Sequence, residues 1–298
     1  MIPWWKYVYT FALGSAVGSF LNVVIYRLPR GGSLLTPPSH CPFCCEPIAW
    51  YDNIPIFSYL LLFGRCRRCK VRISPQYAFV EALTGALFCW ILYRLSRDSA
   101  AFSYARLFAF VMLAAALVAS TLIDLKRQII PDEITIPGIF VGPLVALSFP
   151  SAMDCSHLLT LAQRIYPGLG QTSSCLGDRP MALLTSVLGV IAGGGTIYAA
   201  GVIGKTLFRK EAMGEGDVKF MAMVGGIIGP ISVMLSFVVA CLLGSIIGTI
   251  ILIRWRRTRI PFAPYLSLGS LAVMLYQAEI LGILSTYSQW FSELVRVR

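Results

Sequence analysis

The chain has 298 residues, of which 57% are hydrophobic and 13% charged, about half the charge of an ordinary soluble domain. Mean hydropathy is +0.73, and the apolar residues form long, nearly uncharged runs, which excludes a small disulfide-stapled module, a disordered chain and a typical cytosolic enzyme. Lys and Arg number 25 against 14 Asp and Glu, a formal charge of +11. These positive residues cluster between apolar runs, as topology signals do, and not along a solvated face for nucleic acid.

The first run, 7–26, is followed by Arg27 and Arg30 and preceded only by Lys6. A cleaved signal peptide places its positive charges ahead of the apolar stretch, so a retained anchor with an outside N-terminus is expected. Further runs cover 76–94, 106–123, 134–150, 181–204, 218–233, 235–253 and 265–285. The eight runs are 16 to 24 residues long, near the roughly 20 that cross a hydrocarbon core. Helices are expected because backbone polar groups find no water there. Within 218–253, Gly225, Gly226, Gly229 and Pro230 interrupt the apolar text. Two spans joined near Pro230 are expected, with one kinked span as the alternative. Gly193, Gly194 and Gly195 lack a nucleotide-binding spacing and are expected to permit close helix packing.

With the N-terminus outside, 17 of the 25 basic residues fall on the inner side, densest at 65–72 and 254–259. The positive-inside bias favours this direction, although Arg94, Arg97 and Arg106 run against it. The expected fold is an all-α polytopic membrane protein of about eight transmembrane helices. Residues 1–26 form the first helix, 27–75 a small inner-side zinc-binding insertion between helices 1 and 2, and 76–298 the remaining membrane core.

Within that insertion, Cys41-Pro42-Phe43-Cys44 is followed after 21 intervening residues by Cys66-Arg67-Arg68-Cys69. Two such pairs suit a closed tetrahedral thiolate site, usually structural zinc, which would stabilise a segment with little core. Nearby Arg65, Arg67, Arg68, Lys70 and Arg72 would offset the thiolate charge. Four reduced thiols are the plain alternative, and Cys45 or His40 compete with Cys44 as ligands. Cys155 and Cys175 share an outside loop where a disulfide can form. Cys89 and Cys241 lie in spans and read as packing residues.

Carboxylates at span ends carry more chemistry. Asp124 closes the third run and Asp217 opens the sixth in Met213-Gly214-Glu215-Gly216-Asp217, with 92 residues between them. The expected topology puts both at one inner boundary, where an ionisable group is costly unless paired, hydrated or useful. Two carboxylates brought together share a proton: one activates water and the other polarises a peptide carbonyl. The plainer account is hydration for both, with Asp217 at an ordinary helix start. Asp132 and Glu133 read as loop or capping residues, and Asp52, Glu211 and Glu215 as substrate or boundary contacts. Glu81, about a turn into its run, is expected to pair with a basic or hydroxyl group.

Four ordered blocks carry a resemblance. They are Gly14 to Pro29 with Gly18-Ser19-Phe20-Leu21-Asn22 at its centre; the cysteine region with Asn53-Ile54-Pro55, Ile73-Ser74, Tyr77 and Glu81; Asp124 with Ile130-Pro131-Asp132; and Gly214-Glu215-Gly216-Asp217 with Lys219. Over almost its whole length the chain resembles the bacterial type IV prepilin peptidases, GxGD-type intramembrane aspartyl proteases that also act as N-methyltransferases. That resemblance implies Asp124 and Asp217 as catalytic residues. It implies removal of a basic leader, after glycine, from type IV prepilins and type II secretion pseudopilins, on the cytoplasmic side of the inner membrane. It also implies methylation of the new N-terminus from S-adenosylmethionine, the alternative being a peptidase without methyltransferase activity. The expected partners are substrates with an apolar N-terminal helix and membrane lipids, without nucleic acid. Met213 stands where the family often has an aromatic residue, which bears on substrate fit. A proton-coupled transporter and a zinc-stabilised assembly factor are the rival classes; acidic groups confined to one face speak against the first.

Overall fold

The computed structural model describes residues 3–97, 102–153, 155, 179–208, 213–255 and 261–296. The elements run in order as α1 (Trp4–Arg27), a 3-10 turn (Leu28–Arg30), a second (Trp50–Asn53), α2 (Phe57–Leu61), α3 (Gln76–Arg97), α4 (Tyr104–Arg127) and α5 (Asp132–Ser148). A third 3-10 turn (Pro150–Ala152) precedes α6 (Arg179–Phe208), α7 (Glu215–Ile228), α8 (Pro230–Trp255) and α9 (Ala263–Arg296). Among the described residues there is no strand, only the isolated bridges His40–Pro47 and Arg65–Arg72.

Among the described residues, eight longer helices fall one for one on the eight apolar runs. Five of them, α1, α3, α4, α6 and α8, are long and apolar enough to cross a membrane. The other three differ in kind. α5 has 17 residues with Pro137 and Pro143 inside it; α7 has 14, about 21 Å of helix against a core of about 30 Å. α9 is interrupted at Tyr276, whose φ of −130° and ψ of 23° leave the helical region.

The break between α7 and α8 is sharp and, as expected, adjoins Pro230; it falls at Gly229. That residue takes φ +85°, which costs glycine no Cβ clash, and Pro230 opens α8, where its missing N–H has no helical partner to lose. Two helices, and not one kinked span, therefore occupy 215–255.

The chain divides into two compact units, Met1–Ile134 and Thr135–Arg298. In the first, α1, α3 and α4 bury Leu21, Val80, Phe88, Ala119 and Ile123 in a common core. Gly14 and Gly18, four residues apart on α1, bring two helix backbones together in the manner of membrane small-residue contacts. A Cβ on Gly18 would lie 2.7 Å from the Glu81 Cα and 3.0 Å from the Val80 carbonyl. Gly18→Leu is therefore expected to lower the unfolding midpoint in detergent, at about 1–3 kcal/mol. Gly195→Ala, where a Cβ meets nothing within 4 Å, should leave the midpoint unchanged or raised; equal losses at both sites would contradict this packing.

In the second unit, α6 lies against α7 with Gly189 on the Gly225 carbonyl and Gly193 on the Met221 carbonyl, while Gly142 of α5 meets Gly226. Of the glycine triplet, Gly193 alone is required by backbone approach. Gly194 has ordinary contacts and Gly195 faces open space.

Candidate functional site

The four cysteines of the two CxxC pairs converge. The Sγ atoms of Cys41, Cys44, Cys66 and Cys69 all lie within 4.8 Å of one another. A tetrahedral ion with bonds of about 2.3 Å to sulfur needs sulfur–sulfur edges of about 3.8 Å, and Cys41 and Cys69 are 3.7 Å apart. The donor set thus fits one thiolate-bound ion with no ligand position left over.

Each pair is a backbone turn of the same design. Cys45 N–H donates to the Cys41 carbonyl at 2.9 Å and Lys70 N–H to that of Cys66 at 3.0 Å. Cys41 N–H donates to Glu46 O at 3.0 Å and Cys66 N–H to Val71 O at 2.9 Å. The residues closing the turns, Cys45 and Lys70, take φ +56° and +57°. That settles the choice between neighbouring thiols: Cys45 serves as the left-handed closing residue with its side chain exposed, and Cys44 joins the cluster. His40 is also outside it, its Nδ1 3.0 Å from the Pro38 carbonyl.

Backbone amides favour ionisation of one thiol of the cluster, Cys41, while Cys44 and Cys69 are raised. Burial raises the Cys41 thiol, but the N–H groups of Cys44 and Phe43 outweigh it and bring the pKa down to about 7. A backbone bond at Glu46 lowers Cys44, yet burial and the neighbouring thiols Cys41, Cys69 and Cys66 push it up to about 11. Two of the surrounding cations are committed elsewhere. Arg67 makes a bidentate pair with Asp52, its Nη2 2.7 Å from Oδ1 and its Nε 2.8 Å from Oδ2, and holds that carboxyl below its usual range. Arg68 reaches Glu46 at 3.3 Å. The sequence offered no signal for these pairings, because partners 15 and 22 residues apart meet only once the two turns face each other.

Glu81 is buried in α3. It accepts the N–H of Ile56 at 2.7 Å, a contact not legible beforehand. Ile56 sits at φ +62°, ψ −51°, and Phe57 N–H reaches back to the Pro55 carbonyl at 2.6 Å. This is a γ-turn of the rare, strained hand, at a β-branched residue for which positive φ is an outlier. A carboxylate from a membrane helix therefore grips a strained turn of the insertion. Glu81→Ala leaves that N–H without its acceptor, at a cost of about 1–3 kcal/mol. Amide hydrogen exchange at 53–58 is expected to quicken in Glu81→Ala and to be largely restored in Glu81→Gln; unchanged exchange in the alanine variant would contradict the grip.

The two aspartates occupy opposite kinds of helix end. Asp124, 6% exposed, lies three residues before the end of α4, and its carbonyl accepts the N–H of Gln128, the left-handed cap, at 2.8 Å. Asp217, half-buried, is the third residue of α7; its Oδ2 accepts Gly214 N–H at 3.3 Å, and its N–H donates to Gly214 O at 3.1 Å. The carboxylate thus makes the reaching-back half of a capping box. Helix dipoles favour negative charge at the second position and disfavour it at the first. Asp124 belongs to unit Met1–Ile134 and Asp217 to unit Thr135–Arg298.

Cys155 is disulfide-bonded, and position 175 lies outside the described residues, as does Glu211. Cys89 is half-buried, its Sγ 3.3 Å from the Tyr7 carbonyl, and Cys241 is a half-buried free thiol.

An apolar helical chain with five helices long and apolar enough to cross a membrane, and with a tetrathiolate insertion, defines a multi-pass membrane protein, and the comparisons give its family. Residues 12–95 match the bacterial peptidase A24 N-terminal domain, and 111–249 match the type IV leader peptidase family; the chain belongs to that family. It is 33% identical to a type 4 prepilin-like proteins leader peptide-processing enzyme of Escherichia coli, over 89% of this chain and 92% of that one. It is 32% identical to a prepilin leader peptidase/N-methyltransferase of Aeromonas hydrophila, over 94% of this chain and 93% of that one. A protein of the same name from Myxococcus xanthus is 35% identical over 83% of this chain, which spans 63% of that relative's length. No solved structure matches the chain.

Proposed function

We propose that the chain cleaves the basic leader from type IV prepilins and type II secretion pseudopilins after glycine, and then methylates the new N-terminus. Family membership over both halves of the chain is the observation that carries this reading. Asp124 and Asp217 form the hydrolytic pair. One carboxylate takes a proton from water as the water oxygen attacks the scissile carbonyl. The other, protonated, donates to the carbonyl oxygen; the tetrahedral intermediate then collapses as the amine leaves with a proton. Their placement at helix ends of opposite dipole sign supports a division of labour, with Asp217 at the anion-favouring end. In this reading the protein lies in the inner membrane, its N-terminus periplasmic, with the insertion and both aspartates on the cytoplasmic side.

The ion of the cysteine cluster is zinc, held by Cys41, Cys44, Cys66 and Cys69 in a structural role, since four thiolates leave no position for water. The relatives' names imply S-adenosylmethionine as the methyl donor. Ribose recognition commonly uses a carboxylate, but the insertion's two acidic residues, Asp52 and Glu46, are both paired with arginines. The insertion alone therefore offers no carboxylate outside an arginine pair to hold it.

Cleavage of a purified model prepilin by the purified chain separates this reading from a transporter or an assembly factor, both of which leave the substrate intact. Methylation of a precleaved substrate separates the bifunctional enzyme from a peptidase alone: methyl incorporation is expected, and its absence from an actively cleaving preparation would leave only the peptidase.

A further inference from the structure

The insertion has almost no core of its own. None of its large apolar side chains between residues 31 and 75 is buried. Several are strongly exposed in a short stretch: Phe57 58%, Leu60 63%, Leu61 63% and Phe63 88%. Their placement is ordered. Phe57, Leu60 and Leu61 stand at i, i+3 and i+4 of α2, one face of a helix. Ser58, buried at 5% exposure, donates to the Tyr51 carbonyl at 2.9 Å and accepts Ile54 N–H at 3.1 Å. The helix is thus amphipathic, its polar contacts turned into the insertion and its apolar face turned out.

The height of this face is set by Glu81. Ile56, immediately before α2, donates its N–H to that carboxylate. Glu81 lies five residues into α3, about 7.5 Å along its axis. The start of α2 is therefore held beside the first two turns of a membrane helix. Polar groups mark the same boundary: Asn22 Nδ2 donates to the Tyr77 carbonyl at 3.0 Å, and Lys126 Nζ to Gln76 Oε1 at 2.6 Å. The Arg30 guanidinium lies 4.1 Å from the Tyr26 ring centroid, an arrangement suited to the interfacial aromatic belt.

We propose that residues 57–63 form an interfacial anchor that seats the insertion in the bilayer, with Phe57, Leu60, Leu61 and Phe63 at the headgroup–acyl boundary. The exposed Arg65, Lys70 and Arg72 face anionic headgroups, a pairing that strengthens interfacial helices. Attachment to the first turns of a span, at the level of these boundary groups, selects lipid as the occupant over a soluble partner or a second copy. The proposal rests on α3 crossing the membrane and is independent of the chemistry at the aspartates.

The test uses the full chain in phosphatidylethanolamine–phosphatidylglycerol bilayers, with Leu60 or Phe63 replaced by photoreactive benzoylphenylalanine. Phe20, 51% exposed on α1, carries the same label as the lipid-facing reference. Irradiation and intact-mass measurement should give phospholipid adducts at 60 and 63 as at 20, with yields at 60 and 63 reduced in Arg65→Gln/Lys70→Gln/Arg72→Gln. Adducts at 20 with none at 60 and 63, or adducts there to a second chain, would overturn the anchor. An unchanged yield in the triple variant would overturn the role given to the three basic residues.

Discussion

Asp124→Asn or Asp217→Asn is expected to abolish leader cleavage, each alone lowering the rate by at least about 10³-fold, within the range that positioned acid–base groups contribute. Asparagine keeps the size of the side chain and much of its hydrogen bonding but can neither take a proton from water nor hold one for the carbonyl. The effect should not reflect misfolding. At Asp217 the carboxamide oxygen can still accept the Gly214 N–H, and at Asp124 the cap bond from Gln128 is made by the backbone carbonyl. Membrane insertion, metal content and methylation of a precleaved substrate should therefore stay near wild type. The double variant should be no slower than either single one, because members of a catalytic pair act as a unit. Retained cleavage in either purified single variant would remove that residue from the mechanism.

Loss of the metal is expected to have the second large effect. Structural zinc in small thiolate sites contributes apparent folding free energies of about 10–16 kcal/mol. Here it stands in for a core, since Cys41 is the one hydrophobic residue buried between residues 31 and 75. Elemental analysis of the purified chain should find one zinc per molecule; Cys41→Ser or prolonged chelation should remove it. Limited proteolysis should then cut between the two cysteine pairs, and methylation of precleaved substrate should fall to background. The α4 and α7 aspartates belong to other elements, so cleavage should suffer less. Methylation unchanged in a Cys41→Ser/Cys44→Ser variant shown to lack zinc would contradict the dependence. An iron or copper content in place of zinc would correct the metal and leave the geometry.

Much of this architecture is legible in the sequence because a bilayer enforces it. Apolar runs of spanning length can only be helices, and among the described residues a helix falls on each run, five of them long and apolar enough to cross a membrane. What escapes is set by backbone angles and tertiary contact. The α7–α8 break is legible near Pro230, but its sharpness rests on the positive φ of Gly229. α7 also proves shorter than a spanning segment, which hydropathy does not register. The cysteine spacing announces the metal cluster, yet choosing Cys44 over Cys45 needs the positive φ at Cys45. α2 is invisible because five residues are too few to separate helical from strand periodicity. Glu81 announced itself as a carboxylate in need of a partner. The Ile56 turn did not, since nothing in Asn53-Ile54-Pro55-Ile56 marks an isoleucine for positive φ. The glycine triplet shows the reverse error: three adjacent small residues read alike, and only Gly193 lies under a facing carbonyl.

The account depends on Asp124 and Asp217 meeting at one aqueous boundary. Its most direct test is sided labelling of Asp124→Cys and Asp217→Cys in intact inner-membrane vesicles, with a membrane-impermeant thiol reagent and peptide mass mapping to separate them from the native thiols. Both positions are predicted to label from the cytoplasmic side and to be protected from the periplasmic one. Labelling of the two from opposite sides would leave no place where a single peptide bond could meet both carboxyls.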